Sequence, residues 1–149
     1  MAAHVRTAVR QAIVTALINA ATDAGAKVFD SRVTQIQPEE LPVIIVRSGR
    51  ETQAVEVIGA PAVLMNRALA IEVEAVIAES DTYAESLDRL MAQIESAVAA
   101  NCFAGKAKNI YPTDYGEIGD AAGTVVTVKG IQAFQVFYLT SQAAPGTAL

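Results

Sequence analysis

The chain opens on a helical pattern. Val5, Val9, Ile13 and Leu17 recur at i, i+4 spacing, with Ala16 and Ala20 beside them. Arg6, Arg10, Gln11 and Asn19 fall largely off that stripe, and Gly25 stands where a C-terminal cap belongs, which predicts a helix over residues 5–22. A short extended piece, KVFDSRV, follows, and then a polar turn ending in Pro38, Glu39 and Glu40. The run LPVIIVRSG, bounded by Pro42 and Gly49, is β-branched and almost fully apolar, as expected of an inner strand buried on both faces. From residue 67 to 78 the period becomes two: Leu69, Ile71, Val73, Ala75 and Ile77 share one face, while Ala70, Glu72, Glu74 and Val76 share the other. Thr82 and Glu85 have capping-box spacing, and Leu87, Leu90, Met91, Ile94 and Val98 continue as one helical stripe to about Asn101. Residues 102–123 are irregular and rich in Gly and Asp, with a short strand weighed over 109–113. TVVTVKGIQAFQVFYLT reads as a long final strand with Gly130 as a bend or bulge, and the tail from about residue 141, SQAAPGTAL, has nothing to anchor it and is expected to be mobile.

The order is therefore helix, short strand, two paired strands, helix, and one or two further strands. No repeat or linker divides it, so one domain is expected over residues 1–149. Two helices are too few to cover both faces of such a sheet. The expected fold class is α+β, a two-layer sandwich in which a predominantly antiparallel four- to five-stranded sheet carries both helices on one face. The opposite face is left half apolar, a liability in a lone monomer. The link over residues 50–66 adds to the problem, because GAPAVLMN places Pro61, Val63, Leu64 and Met65 where a solvated loop is expected.

Composition narrows the class. At 52% hydrophobic and 18% charged, the 149-residue chain is too apolar to be disordered. Its longest apolar runs, such as Leu41 to Val46, are strand-sized and far short of the roughly 20 residues of a membrane helix. Arg6 and Arg10 interrupt the N-terminal apolar residues, so that segment is not read as an export signal, and a cytosolic protein is the default expectation. The net charge of −5 argues against a nucleic-acid face, and Lys106, Lys108 and Lys129 are sparse and set among acids. Cys102, the one cysteine, cannot form an internal disulfide and is expected to be a partly buried small residue.

None of the motifs that carry chemistry is complete. His4, the one histidine, stands at the start of the first helix, where a nucleophile–base pair would lack its orienting third group. Glu72 and Glu74 share a strand face and would raise each other's pKa, but acid–base work needs a pocket and a proton acceptor as well, and a charged face meeting water or basic partner residues is the plainer reading. Asp114, Glu117 and Asp120 lack the ligand spacing of a calcium loop, and Gly116, Gly119 and Gly123 do not form a phosphate loop. The expectation is no enzyme, no metal and no cofactor. What remains is surface: an apolar link and a long final strand that a neighbouring copy could cover.

The succession VRQAIVTAL, VFDSRV, LPVIIV, RALAIEVEAVI, LDRLMAQIESAV and GTVVTVKGIQAFQVFYLT resembles the tail terminator proteins of long non-contractile phage tails, the minor tail protein U family of lambdoid phages. The likeness covers nearly the whole chain, in order and spacing rather than in an invariant signature. It implies a homohexameric ring in the virion tail, assembled in the host bacterial cytoplasm. Such a ring ends growth of the tail tube and docks the head connector; its partners are further copies of itself, the major tail tube protein and the connector, with no nucleic-acid readout and no membrane. The resemblance supplies no catalytic residues. Arg32, Arg47, Arg50, Glu51, Pro61, Val63, Leu64, Met65, Arg67, Glu72 and Glu74 are the interface candidates. A head–tail connector or tail-completion neck protein of similar fold is the nearest alternative, and a small cytosolic enzyme or ligand-binding domain a more distant one.

Overall fold

The computed structural model describes residues 3–57, 63–99, 107, 109–120 and 126–149. Among these, the elements in chain order are α1 (Val5–Asn19), β1 (Val28–Asp30), β2 (Val43–Val57), β3 (Leu64–Ala78), α2 (Tyr83–Ala99), β4 (Asn109–Asp120), β5 (Thr127–Ser141) and β6 (Ala144–Ala148), with a short 3₁₀ turn at Pro38–Glu40. The fold is α+β. Its sheet has six strands where four or five were expected, because the C-terminal segment adds one, and runs β1-β2-β3-β5-β4 with β6 also paired to β5. The sheet is mixed, because β1 joins β2 in parallel while the other pairings are antiparallel.

The two helical stripes and one set of alternating strand residues make the core. Val5, Val9, Ile13 and Leu17 of α1 and Leu87, Leu90, Met91, Ile94 and Val98 of α2 are buried together with Ile44 and Val46 of β2, Leu69 to Ile77 at every second position of β3, and Val128, Phe134, Val136 and Tyr138 of β5. β2 is apolar on both sides where it is innermost, and Val43 and Ile45 are as buried as Ile44 and Val46. No helix among the described residues is long and apolar enough to cross a membrane.

Four expectations are corrected. α1 stops at Asn19, not residue 22: the Ala20 N–H bonds the Ala16 carbonyl, Ala21 turns the chain at φ 49°, and Gly25, at φ +60°, belongs to the following turn. The stretch expected to be irregular contains β4, which runs along the sheet edge to Asp120. All but Ile110 of its residues are exposed, so no alternation announced it, and Pro112, Gly116 and Gly119 are tolerable because the outer side of an edge strand needs no ladder. Gly130 makes no bulge; it lies in regular register between Ala75 and Glu117, and the bulge sits on the partner strand, between Pro112 and Asp114. The tail expected to be mobile and without an anchor is held as β6, with Thr140 opposite Ala148 and the Leu149 N–H on the Leu139 carbonyl.

Residues 31–42 leave β1 and return to β2 across the 3₁₀ turn. Arg32 pins this segment, donating from Nη1 and Nη2 to the two Glu40 carboxylate oxygens at 2.8 and 2.9 Å while its guanidinium carbon sits 4.6 Å from the centre of the Phe29 ring. Glu40 also accepts the Gln37 N–H at 2.7 Å, which closes the turn.

Candidate functional site

A bulge in β2 builds the most elaborate polar cluster of the described residues. Ser48 lies opposite Ile71 and Glu51 opposite Leu69, so β2 spends one residue more than β3 between these pairs. Strict alternation would put Arg50 opposite Leu69, on the face that carries the core. The extra residue turns Glu51 inward instead and leaves Arg50 exposed. Inside, Glu51 Oε1 accepts hydrogen bonds from Arg67 Nη1 at 2.9 Å and Gln53 Nε2 at 2.7 Å, and Oε2 accepts one from the Tyr138 hydroxyl. Arg67 also donates from Nε to Thr140 Oγ1 at 2.8 Å, and Arg6 of α1 brings Nη1 to 3.8 Å from Glu51 Oε1. The Arg67 and Glu51 side chains are 8% and 4% exposed, so this pair is buried.

The electrostatics follow from that geometry. Burial alone would raise the Glu51 carboxyl, but hydrogen bonds from Tyr138, Gln53 and Arg67 and the charge of Arg6 outweigh it and hold it below the usual carboxylate range. Tyr138 moves the opposite way: burial and then donation to Glu51 push its phenol up. The cluster gathers α1, β2, β3 and β5 around one carboxylate that accepts three hydrogen bonds from within the chain. Its chemistry is therefore that of a fastening, with each charge spent on a neighbour in the chain.

The opposite face carries a second ion-pair system. Glu74, 7% exposed, lies opposite Ile45 on β2 and Ile131 on β5. Arg47 Nε approaches Glu74 Oε1 at 3.4 Å and Lys129 Nζ approaches Oε2 at 3.7 Å, and Oε2 has no hydrogen-bond partner among the described residues. A groove of about 470 Å³ opens beside them, between residues 32–38 and the sheet, with Ile45, Arg47, Val76, Asp120 and Lys129 on its walls. Farther along, Ala68, Ala70, Ile131, Ala133, Phe137 and Leu139 lie half-buried, and Tyr111 and Ile118 of β4 are exposed; the register puts all of them on this face. The Tyr111 and Phe137 rings pack with centroids 5.6 Å apart.

No family model matches the chain. No curated protein matches it either.

The sequence-selected residues thus separate into distinct places. Glu51 and Arg67 meet in the buried cluster. Arg47 and Glu74 meet on the opposite face, where Glu72 is half-buried, and Arg32 belongs to the loop pair with Glu40. Glu74, expected to meet water or basic partner residues, is instead buried, and the basic groups it meets are the chain's own Arg47 and Lys129. Val63, Leu64 and Met65 are half-buried where β3 begins, so the supposed loop is in part strand, while Pro61 lies outside the described residues, as does Cys102. Arg67, an interface candidate on its charge, is buried, and its guanidinium is spent within the chain on Glu51 and Thr140. The signal was in the sequence: Arg67 precedes Leu69 by two, so the period of the strand already assigns it to the buried face. Tyr138, Thr140, Gln53 and Arg6 were not singled out, and only the bulge brings Glu51 to them. Among the described residues no group of three or more His, Cys, Asp or Glu side chains is placed to hold a metal ion.

Proposed function

We propose that the chain is a structural ring subunit, a tail terminator that caps a phage tail tube, stops its elongation and presents a docking surface to the head connector. The fold is read here as a two-layer sandwich with its helices on one side. The observation that carries the reading is the other side, where Ala68, Ala70, Ile131, Ala133, Phe137, Leu139, Tyr111 and Ile118 form a broad, half-apolar face with Glu72, Gln135 and Asp114 among them. Monomeric proteins rarely leave such a face uncovered, and further copies in a closed homohexamer, or the end of the tube, would cover it. Arg47 and Lys129 border this face, where they are available to a partner's carboxylates as well as to Glu74.

A binding role of this kind requires one surface that grips the tube and another that recruits no further tube subunit. The related reading, a neck protein that completes or connects the tail, rests on the same face and differs in its partner.

The experiment is tail assembly in the absence of this protein. Overlong tails that fail to join heads are the expected result, and tails of normal length would overturn the reading. Purified protein mixed with tube subunits should shorten tubes seen by electron microscopy. The double variant Tyr111→Lys/Ile118→Lys should remain folded and lose that effect.

A further inference from the structure

α1 begins in an unfavourable electrostatic setting. The N-terminus of a helix carries a partial positive charge and is stabilised by nearby anions. The first turn of α1 contains no acidic residue and does contain Arg6. Its cap is His4, whose Nδ1 accepts the Arg6 backbone N–H at 3.1 Å. The His4 carbonyl accepts the Thr7 N–H at 2.9 Å as well, so this one residue secures the start of the helix from two atoms.

An imidazole nitrogen accepts a hydrogen bond only while it carries no proton. The groups facing His4 are Arg6 of its own helix, Arg67 of β3 and Glu51 of β2, with Tyr138 of β5 behind Glu51 and donating to it. Glu51 is the sole anion of this set, and Arg67, Gln53, Tyr138 and Arg6 already share it. A proton added to His4 therefore meets the helix terminus and two guanidinium groups, and turns the Nδ1 acceptor into a donor aimed at another donor.

We propose that His4 is a proton-operated clasp: with a neutral ring it fastens the first turn of α1 over the Glu51–Arg67 pair, and protonation on mild acidification releases that turn. Val5, 2% exposed, is the first core residue uncovered when the turn leaves. The direction agrees with the ring's surroundings, since burial first and Arg6 next hold its pKa below the usual 6.5, against the pull of Glu51 and with a further push from Arg67. The device is independent of which partner the open sheet face meets.

The test is amide exchange of residues 5–9, corrected for intrinsic rates, in the full chain at about pH 7.5 and about pH 5. In the wild type, protection at Arg6, Thr7 and Ala8 should fall at least about fivefold at the lower pH. His4→Asn retains a capping oxygen and cannot titrate, so its protection should be the same at both pH values. His4→Ser serves the same purpose should the asparagine variant fold poorly. Unchanged protection in the wild type would overturn the proposal, and so would an equal loss in the asparagine and serine variants.

Discussion

Arg67 and Glu51 are 16 residues apart in the chain, on adjacent strands, and their side chains meet at 2.9 Å in a place where each is less than a tenth exposed. Removing one partner leaves the other charged, buried and unpaired. Arg67→Met should therefore destabilise the protein by about 3–5 kcal/mol in denaturant unfolding. Arg67→Met/Glu51→Leu should recover most of that loss, because replacing both members of a buried pair by apolar groups is often close to neutral. A double variant no more stable than the single one would show that the pair is not the unit.

Arg50 supplies the contrast. The bulge leaves it in solvent, so Arg50→Glu should shift stability by no more than about 0.5 kcal/mol. Arg67→Glu, which sets a second carboxylate beside Glu51, should abolish folding or come close to it. Circular dichroism of the two variants side by side distinguishes a surface charge from a buried one.

Stability should decline toward both ends of the pH scale. The Glu51 carboxyl is held below its unfolded value, so its contribution is present above about pH 4.5 and is lost as the pH falls through the folded value. His4 acts in the same direction at higher pH, because the unfolded chain binds a proton near 6.5 that the folded one resists. Tyr138 and Tyr115 are pushed up from 10, chiefly by burial and then by donating to Glu51 and Glu117, so the alkaline loss sets in as the unfolded phenols ionise. Melting temperatures across this range should show both limbs, and His4→Asn should flatten the upper part of the acid one.

A Cβ at Gly130 would stand 3.0 Å from the Tyr115 hydroxyl and 3.2 Å from Leu87 Cδ1. Leu87 is fully buried and has little room to yield. Gly130→Ala should destabilise by about 1–3 kcal/mol, and by less in a Tyr115→Phe background, where the nearest atom is gone. An equal cost in both backgrounds would assign the strain to Leu87 and the Tyr115 ring carbon 3.3 Å away, not to the hydroxyl.

Core truncation gives a plainer measurement. Ile94 is fully buried on α2 among the strand residues, and Ile94→Ala should cost about 2–5 kcal/mol in equilibrium unfolding.

The periodic parts of this fold were legible before any coordinates. The α1 and α2 stripes and the β3 alternation name side chains that are found buried, including Leu90, Ile94 and Val73, with Ala20, exposed past the end of α1, as the exception. What escaped has a physical reason in each case. β4 lies exposed along a sheet edge and has no buried face to impose a period. The five residues of β6 follow too brief a turn for propensity to mark, and pairing with β5 decides their state. The Glu51 cluster depends on one extra residue between Ser48 and Glu51, and a bulge changes which side chains face inward without changing composition. Arg67 was noticed for its charge, when its position two residues before Leu69 was the more informative fact.

β5 lies between β3 and β4 in the sheet and is made after both. During synthesis from the N-terminus, β3 and β4 emerge with no bond to each other and wait, each with an open edge, for the strand that joins them. Both helices precede β5 in the chain and have a floor to pack on that is not yet continuous. A nascent chain halted before Thr127 thus holds nearly every core residue of α1, α2 and β3 and still cannot close the sheet beneath them. The order of the chain makes completion a late, single event, and it leaves the unfinished intermediate as the form that cellular chaperones would have to shield.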